Sequence, residues 1–278
     1  MTGSVIFRHV FERRLGLSER TNEIVQTFLE VSGLFYGITL GLIAVGAYDS
    51  YKDAEQTIAS EAATLNSLYR DVSMLSDEAL RQDLRHTVRS YAEYLVDEGW
   101  RLQRMGVVPR GTTDIINRLD ASLVAYPLNT EKDAIIFDQI MERNNSLGEL
   151  RRQRVTFVQS GLPSAIWEVI ALGDLVIVIL TWLLVIKNRR LDMLINILCG
   201  SLLGSLIFVI AATDRPFRGD FGVSPEPFQL LLDGVMRTPA SASRHGSARS
   251  AITTQTSATT SASAPTGTSS TPSPGSAP

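Results

Sequence analysis

The chain has 278 residues, a formal net charge of −3 and a mean hydropathy of +0.08. Charge this close to neutral supplies no basic field for nucleic acid, so no nucleic-acid partner is expected. One cysteine, Cys199, forbids an intrachain disulfide, and His9, His86 and His245 are too scattered to suggest a metal cluster, so no metal or cofactor is expected.

Residues 1–30 form a basic N-terminal segment carrying Arg8, Arg13, Arg14 and Arg20. Val31–Tyr48 follows without a single charge. A helix crosses a bilayer with roughly 20 apolar residues and about 17 at the least, so this run is just long enough to be a first span. It lacks a small-residue cleavage site, and its helical pattern continues through Asp49–Tyr69, which argues against a signal peptide. Gly33, Gly37 and Gly41 recur every four residues and share one side of the helix. Such a side lets another backbone approach closely, either in a second copy of the chain or in another span of the same chain.

Asp49–Ser164 reads as an all-helical soluble domain. Ser76 is placed to cap a helix running to about Met105, with Leu80, Leu84, Val88, Tyr91, Leu95 and Leu102 near helical spacing. Gly106–Gly111, with Pro109, is a break. A short helix over Thr113–Ala125 comes next. Thr130-Glu-Lys-Asp133 has capping-box spacing and opens a helix carrying Ile135, Ile136, Ile140, Leu147 and Leu150 toward the membrane.

Ala165–Ile186 is the second span. Pro163 stands just before it, and Trp167 and Trp182 lie near its ends, as interfacial aromatics do. Leu191–Thr213 is the third. The link Lys187-Asn-Arg-Arg190 is so short that the two form an antiparallel hairpin. The fold class is therefore all-α: an integral membrane protein of three spans, with a helical domain inserted between the first and the second. Residues 214–236 form a post-membrane segment. Residues 237–278 are almost wholly Ala, Ser, Thr, Pro and Gly, cannot bury a core, and are expected to be disordered.

Polar groups inside spans are expensive and tend to be functional. Asp174 lies mid-span, Glu168 close to the interface, and Asn196 in the third span. Asp174 is either an ion or proton site or a carboxyl group hydrogen-bonded across the hairpin. Equal depth in the hairpin puts it near Ser201, Gly204 or Ser205. Asp192, Asn196, Gly200 and Gly204 make a polar-to-small stripe suited to helix contact. Basic residues near span ends favour the cytoplasm. Arg8–Arg20 and Lys187–Arg190 fall on one side of three spans, which puts Asp49–Ser164 outside the cell.

Three stretches carry a resemblance. Gly33-Leu-Phe-Tyr-Gly37 leads into Tyr51-Lys-Asp-Ala-Glu55 and Glu61-Ala-Ala63. Arg151 to Arg154 precedes Gly161-Leu-Pro163 and Trp167. Asp214-Arg215-Pro216-Phe217 precedes Ser224-Pro-Glu-Pro-Phe228 and is the most specific part. Over Arg13–Leu232 the sequence resembles the uncharacterised bestrophin-like family of bacterial membrane proteins. The resemblance implies paired spans on either side of a helical domain, and a likeness in layout to bestrophins, which are pentameric anion channels with that domain in the cytosol. Members usually carry another apolar span before the Arg13-Arg14 region, whereas Met1–Arg20 is too short and too charged for one.

No glycine-rich phosphate loop, zinc-type histidine pair or nucleophile elbow is present, so an enzyme is not expected. Two classes remain: an oligomeric channel or transport-like protein in the cell membrane, and a non-conducting membrane protein whose helical domain senses or binds a partner. The expected partners are the lipid bilayer and further copies of the chain, as a homo-oligomer.

Overall fold

The structure, a computed structural model, describes residues 19–125, 131–184, 186, 188–219 and 221–237. The N-terminal basic residues Arg8, Arg13 and Arg14, the capping residue Thr130 and the 238–278 tail lie outside the described residues. Every regular element among those described is helical.

Helix α1 (Glu19–Val72) is one rod of 54 residues, about 81 Å long at 1.5 Å per residue. After an opening that carries Glu23, Gln26 and Glu30, its Val31–Tyr48 stretch is uncharged on every side, with Leu34, Phe35, Ile38, Leu42 and Val45 exposed. Beyond Asp49 it turns amphipathic. Ala54, Ile58, Ala62, Leu65, Leu68 and Val72 are buried at steps of three and four residues, the signature of a helix with one face in a core. The first span therefore continues, unbroken, as the central helix of the soluble domain.

Helix α2 (Glu78–Tyr94) starts one residue later than the sequence suggested. Asp77, not Ser76, is the cap, its carboxylate accepting from the Ala79 and Leu80 amides at 2.9 and 3.0 Å. The Ser76 amide instead donates to Asp133 at 3.3 Å, tying this corner to the helix that begins at Glu131. Nor does one helix run to Met105. A π-turn over Leu95–Gly99 intervenes, after which α3 (Trp100–Arg104) ends at Gly106, whose φ of 75° suits glycine.

Helix α4 (Gly111–Val124) packs on α2, and α5 (Glu131–Gln159) returns alongside α1 toward the membrane. The second and third spans are α6 (Ser164–Leu183) and α7 (Arg189–Thr213), with α8 (Glu226–Asp233) after them. All three spans are long and apolar enough to cross a membrane. Both arms of the hairpin rest on α1 more than on each other. Leu40, Ile170 and Ile210 form a small core there, ringed by Tyr36, Ile43, Ala44, Trp167 and Leu206.

Candidate functional site

The intramembrane candidates do not converge. Asp174 lies one turn after Ile170, and both face Tyr36 of α1. The Tyr36 hydroxyl donates to the Ile170 carbonyl oxygen at 2.7 Å, and the phenol lies against Gly173 and Asp174. A β-carbon at position 173 would collide with that ring, so the glycine is what admits it. Asp174 Oδ1 is buried and has no hydrogen-bond partner among the described residues. The partner anticipated in the third span is not there: the Ser205 hydroxyl donates back to the Leu202 carbonyl at 2.8 Å, and Gly204 faces open space. The equal-depth count assumed that α6 and α7 face each other, whereas each turns toward α1.

Glu168 is exposed near the start of α6. Asn196 bonds within its own helix, to the Asp192 carbonyl at 2.8 Å, rather than across to another span. Among the described residues, nothing lies within 4 Å of a β-carbon built at Gly33, Gly37, Gly41, Gly200 or Gly204, so both glycine stripes face away from the rest of them.

The soluble domain holds a constellation that sequence reading missed. Arg154, on α5, is fully buried and grips Glu61, on α1, with two nitrogens: Nε to Oε2 at 2.6 Å and Nη2 to Oε1 at 3.2 Å. Its Nη1 donates to Gln103 Oε1 at 2.6 Å. The Tyr91 hydroxyl donates to Glu61 Oε1, and Gln103 Nε2 donates to the Gly99 carbonyl at 3.2 Å. Burial opposes the charge on Arg154, but the adjoining Glu61 carboxylate more than offsets this and holds the guanidinium more firmly protonated than usual. Burial, aided by Glu61, pushes the Tyr91 phenol well above its ordinary value. Both carboxylate oxygens are thus engaged by neighbours and sealed from water. The arrangement suits fastening α1, α2, α3 and α5 together, not moving a proton to solvent.

A second constellation gathers the C-terminal motif. Asp214, at the end of α7, is buried and accepts from the Leu162 amide in the turn between α5 and α6. Arg215 beside it is exposed. Pro216 closes a turn, its carbonyl accepting from the Val223 amide at 2.8 Å. Phe217 and Phe228 pack on Trp100, with ring centroids 5.5 and 6.3 Å away. The Trp100 indole donates to the Val223 carbonyl at 3.1 Å. Short α3 thus joins the two constellations, with Gln103 in the charged one and Trp100 in the aromatic one. The π-turn sets where they point: the Trp100 amide reaches back to the Leu95 carbonyl, five residues away. Glu61, Arg154, Leu162, Asp214, Phe217 and Phe228 all fall in the stretches that carried the resemblance, which was the available signal.

Comparison with known proteins agrees with this picture. No curated protein matches the sequence. Among solved structures, a bacterial bestrophin homolog from Klebsiella pneumoniae, in a point-mutant form, matches with a TM-score of 0.64 at 13% identity, covering 83% of this chain and 94% of that one. The same homolog solved by zinc phasing gives 0.65 at 12%, covering 85% and 96%. A membrane protein solved as a glycine-to-alanine variant gives 0.66 at 12%, with the same coverage. At such identities the likeness shows the fold alone. The model of the bestrophin-like domain matches residues 2–228. The chain is therefore an all-helical membrane protein that belongs to the bestrophin-like family.

Proposed function

We propose that the chain is one subunit of an oligomeric ion channel or transport-like protein, with the conduction path between copies. The observation that carries this reading is the emptiness around the spans. In α7 only Ile210 is buried, and in α6 only Ile170, Ile177 and Thr181. Three spans packed this sparsely do not enclose a polar lumen, so a path for ions requires neighbours. The glycine faces of α1 and α7 are suited to such neighbours, because van der Waals packing is what holds helices together in lipid. Family membership supports the same reading.

The test is ion flux in liposomes loaded with purified protein. Flux above empty vesicles is the expected result. Its absence from an intact, folded assembly would favour the second reading, a non-conducting sensor acting through the helical domain. What favours that alternative is the domain's own sealed core, which would serve a partner-binding module as well. Within the channel reading, Asp174, oriented by Tyr36, is the proposed intramembrane polar site. Asp174→Leu should abolish flux while leaving the folded yield intact, and unchanged flux would reduce the residue to packing.

For orientation we propose the arrangement that basic residues favour, with Lys187–Arg190 in the cytoplasm and the domain outside. The layout implied by the bestrophin resemblance is the reverse, so the test discriminates. Single cysteines at Arg110 and Asn188, in a Cys199→Ser background, are treated with an impermeant thiol reagent in intact cells. Labelling at 110 alone supports the proposal, and labelling at 188 alone reverses it.

A further inference from the structure

The aromatic turn after the third span leaves one large apolar side chain outward. Phe221 is 63% exposed, yet its ring meets that of Phe208 edge-on, with centroids 5.6 Å apart. Phe208 belongs to α7 and is itself 57% exposed. The contact therefore fixes the depth of Phe221 relative to the span.

Between Asp192 and Asp214 lie 21 uncharged residues. As a helix they cover about 31 Å, close to the ~30 Å of a bilayer's hydrocarbon core. Phe208 is five residues past the midpoint of that stretch, so its α-carbon lies about 7 Å from the mid-plane and about 7 Å inside the core's edge. Helical side chains lean toward their helix's N-terminus, which here is toward the mid-plane. A ring whose centroid is 5.6 Å from Phe208 is then still within the hydrocarbon boundary.

The turn that presents Phe221 is braced from the other side. The Val223 amide closes it onto Pro216, and the Trp100 indole and an Arg104 guanidinium hold the Val223 and Gly219 carbonyls. A β-carbon on Gly222 would press on the Phe217 backbone, so the chain doubles back tightly there. The domain thus grips one side of the turn, and the apolar side chain on the other is left beside an exposed apolar position of α7.

We propose that Phe221 is a membrane anchor: the turn after the third span dips into the bilayer and buries this ring among acyl chains beside Phe208. The occupant is bilayer lipid, because the side chain is continuous with the exposed face of a span and lies at hydrocarbon depth. This rests on the spans alone and not on any conducting role.

The test uses the full chain in lipid nanodiscs, with Cys199→Ser and a single nitroxide label at 221, 208 or 224. Exposure of Phe221 means that the label needs no repacking, and retained helicity is checked for each variant. Collisions with dissolved oxygen, which concentrates in lipid, are compared with collisions with a water-soluble nickel chelate. The anchor predicts that the ratio at 221 matches that at 208 and exceeds that at 224, where exposed Ser224 serves as the aqueous reference. A ratio at 221 equal to that at 224 overturns it. So does an immobile label shielded from both reagents, which would mean that protein covers Phe221.

Discussion

Two halves of a single helix set out how this protein is held together. Along Val31–Tyr48 of α1 the surface carries no charge, and only Leu40 and Ala47 are buried. Beyond it, the same rod buries six aliphatic residues together with Glu61, and exposes Asp53, Glu55, Gln56 and Arg70. In water, an apolar face must find a partner inside the chain, so the domain completes its own core. In lipid, no hydrophobic force drives spans together, and packing must come from close-fitting surfaces. The domain half is finished within one chain, whereas the membrane half offers glycine faces with nothing on them.

The most damaging way to probe the finished half is to strand a buried charge. Arg154→Met leaves Glu61 sealed without its partner and should cost about 3–5 kcal/mol, read as a large drop in melting temperature in detergent. Adding Glu61→Gln should recover part of that loss. A single variant as stable as the wild type would show that the pair does not fasten the domain.

A milder probe is Trp100→Phe, which keeps an aromatic ring against Phe217 and Phe228 but removes the donor to Val223. It should cost about 1 kcal/mol, and Trp100→Ala about 3 kcal/mol or more. Equal effects of the two substitutions would mean that packing contributes nothing at this joint.

Tyr91 gives the domain a pH signature. Its phenol is raised in the folded state above the ordinary 10.0. Stability from this group is therefore complete below pH 10 and lost as pH climbs toward the folded value, because the unfolded chain gives up the proton first. The slope is about 1.4 kcal/mol per pH unit for one proton. Comparing denaturant unfolding at pH 9 and 11, Tyr91→Phe should lose less stability over that interval than the wild type. Parallel losses would contradict the account.

On the membrane half the same kind of change should do almost nothing to folding. Leu42→Ile alters an exposed position off the glycine stripe and should stay within about 0.5 kcal/mol. Gly37→Leu is the sharper version: among the described residues nothing lies near that position, so the folded yield should hold while the assembly becomes smaller.

What sequence revealed follows the same division. The spans were legible because composition alone marks them, and the run-on of α1 was legible because Ala62, Leu65 and Leu68 kept the helical period past Asp49. The break at Leu95–Gly99 was not, since a π-turn needs no proline or distinctive residue. Nor was the pairing of Glu61 with Arg154, 93 positions apart, because each alone reads as a solvated surface charge. Asp174 was singled out for its depth, but its neighbour Tyr36 was missed. Which span faces which is decided by packing on α1, and a short link between α6 and α7 does not specify it. The closing Asp214–Phe217 motif was noticed as a resemblance, while its physical task, clamping the exit of α7 onto Leu162 and Trp100, needed the structure.

The claim on which the rest depends is that the membrane half is completed by other copies of the chain. The mass of the wild-type protein in lipid nanodiscs measures this directly. The account predicts a defined homo-oligomer that Gly37→Leu reduces without unfolding. A wild-type chain that is monomeric in the nanodisc and folded would contradict it, and the channel reading would fall with it.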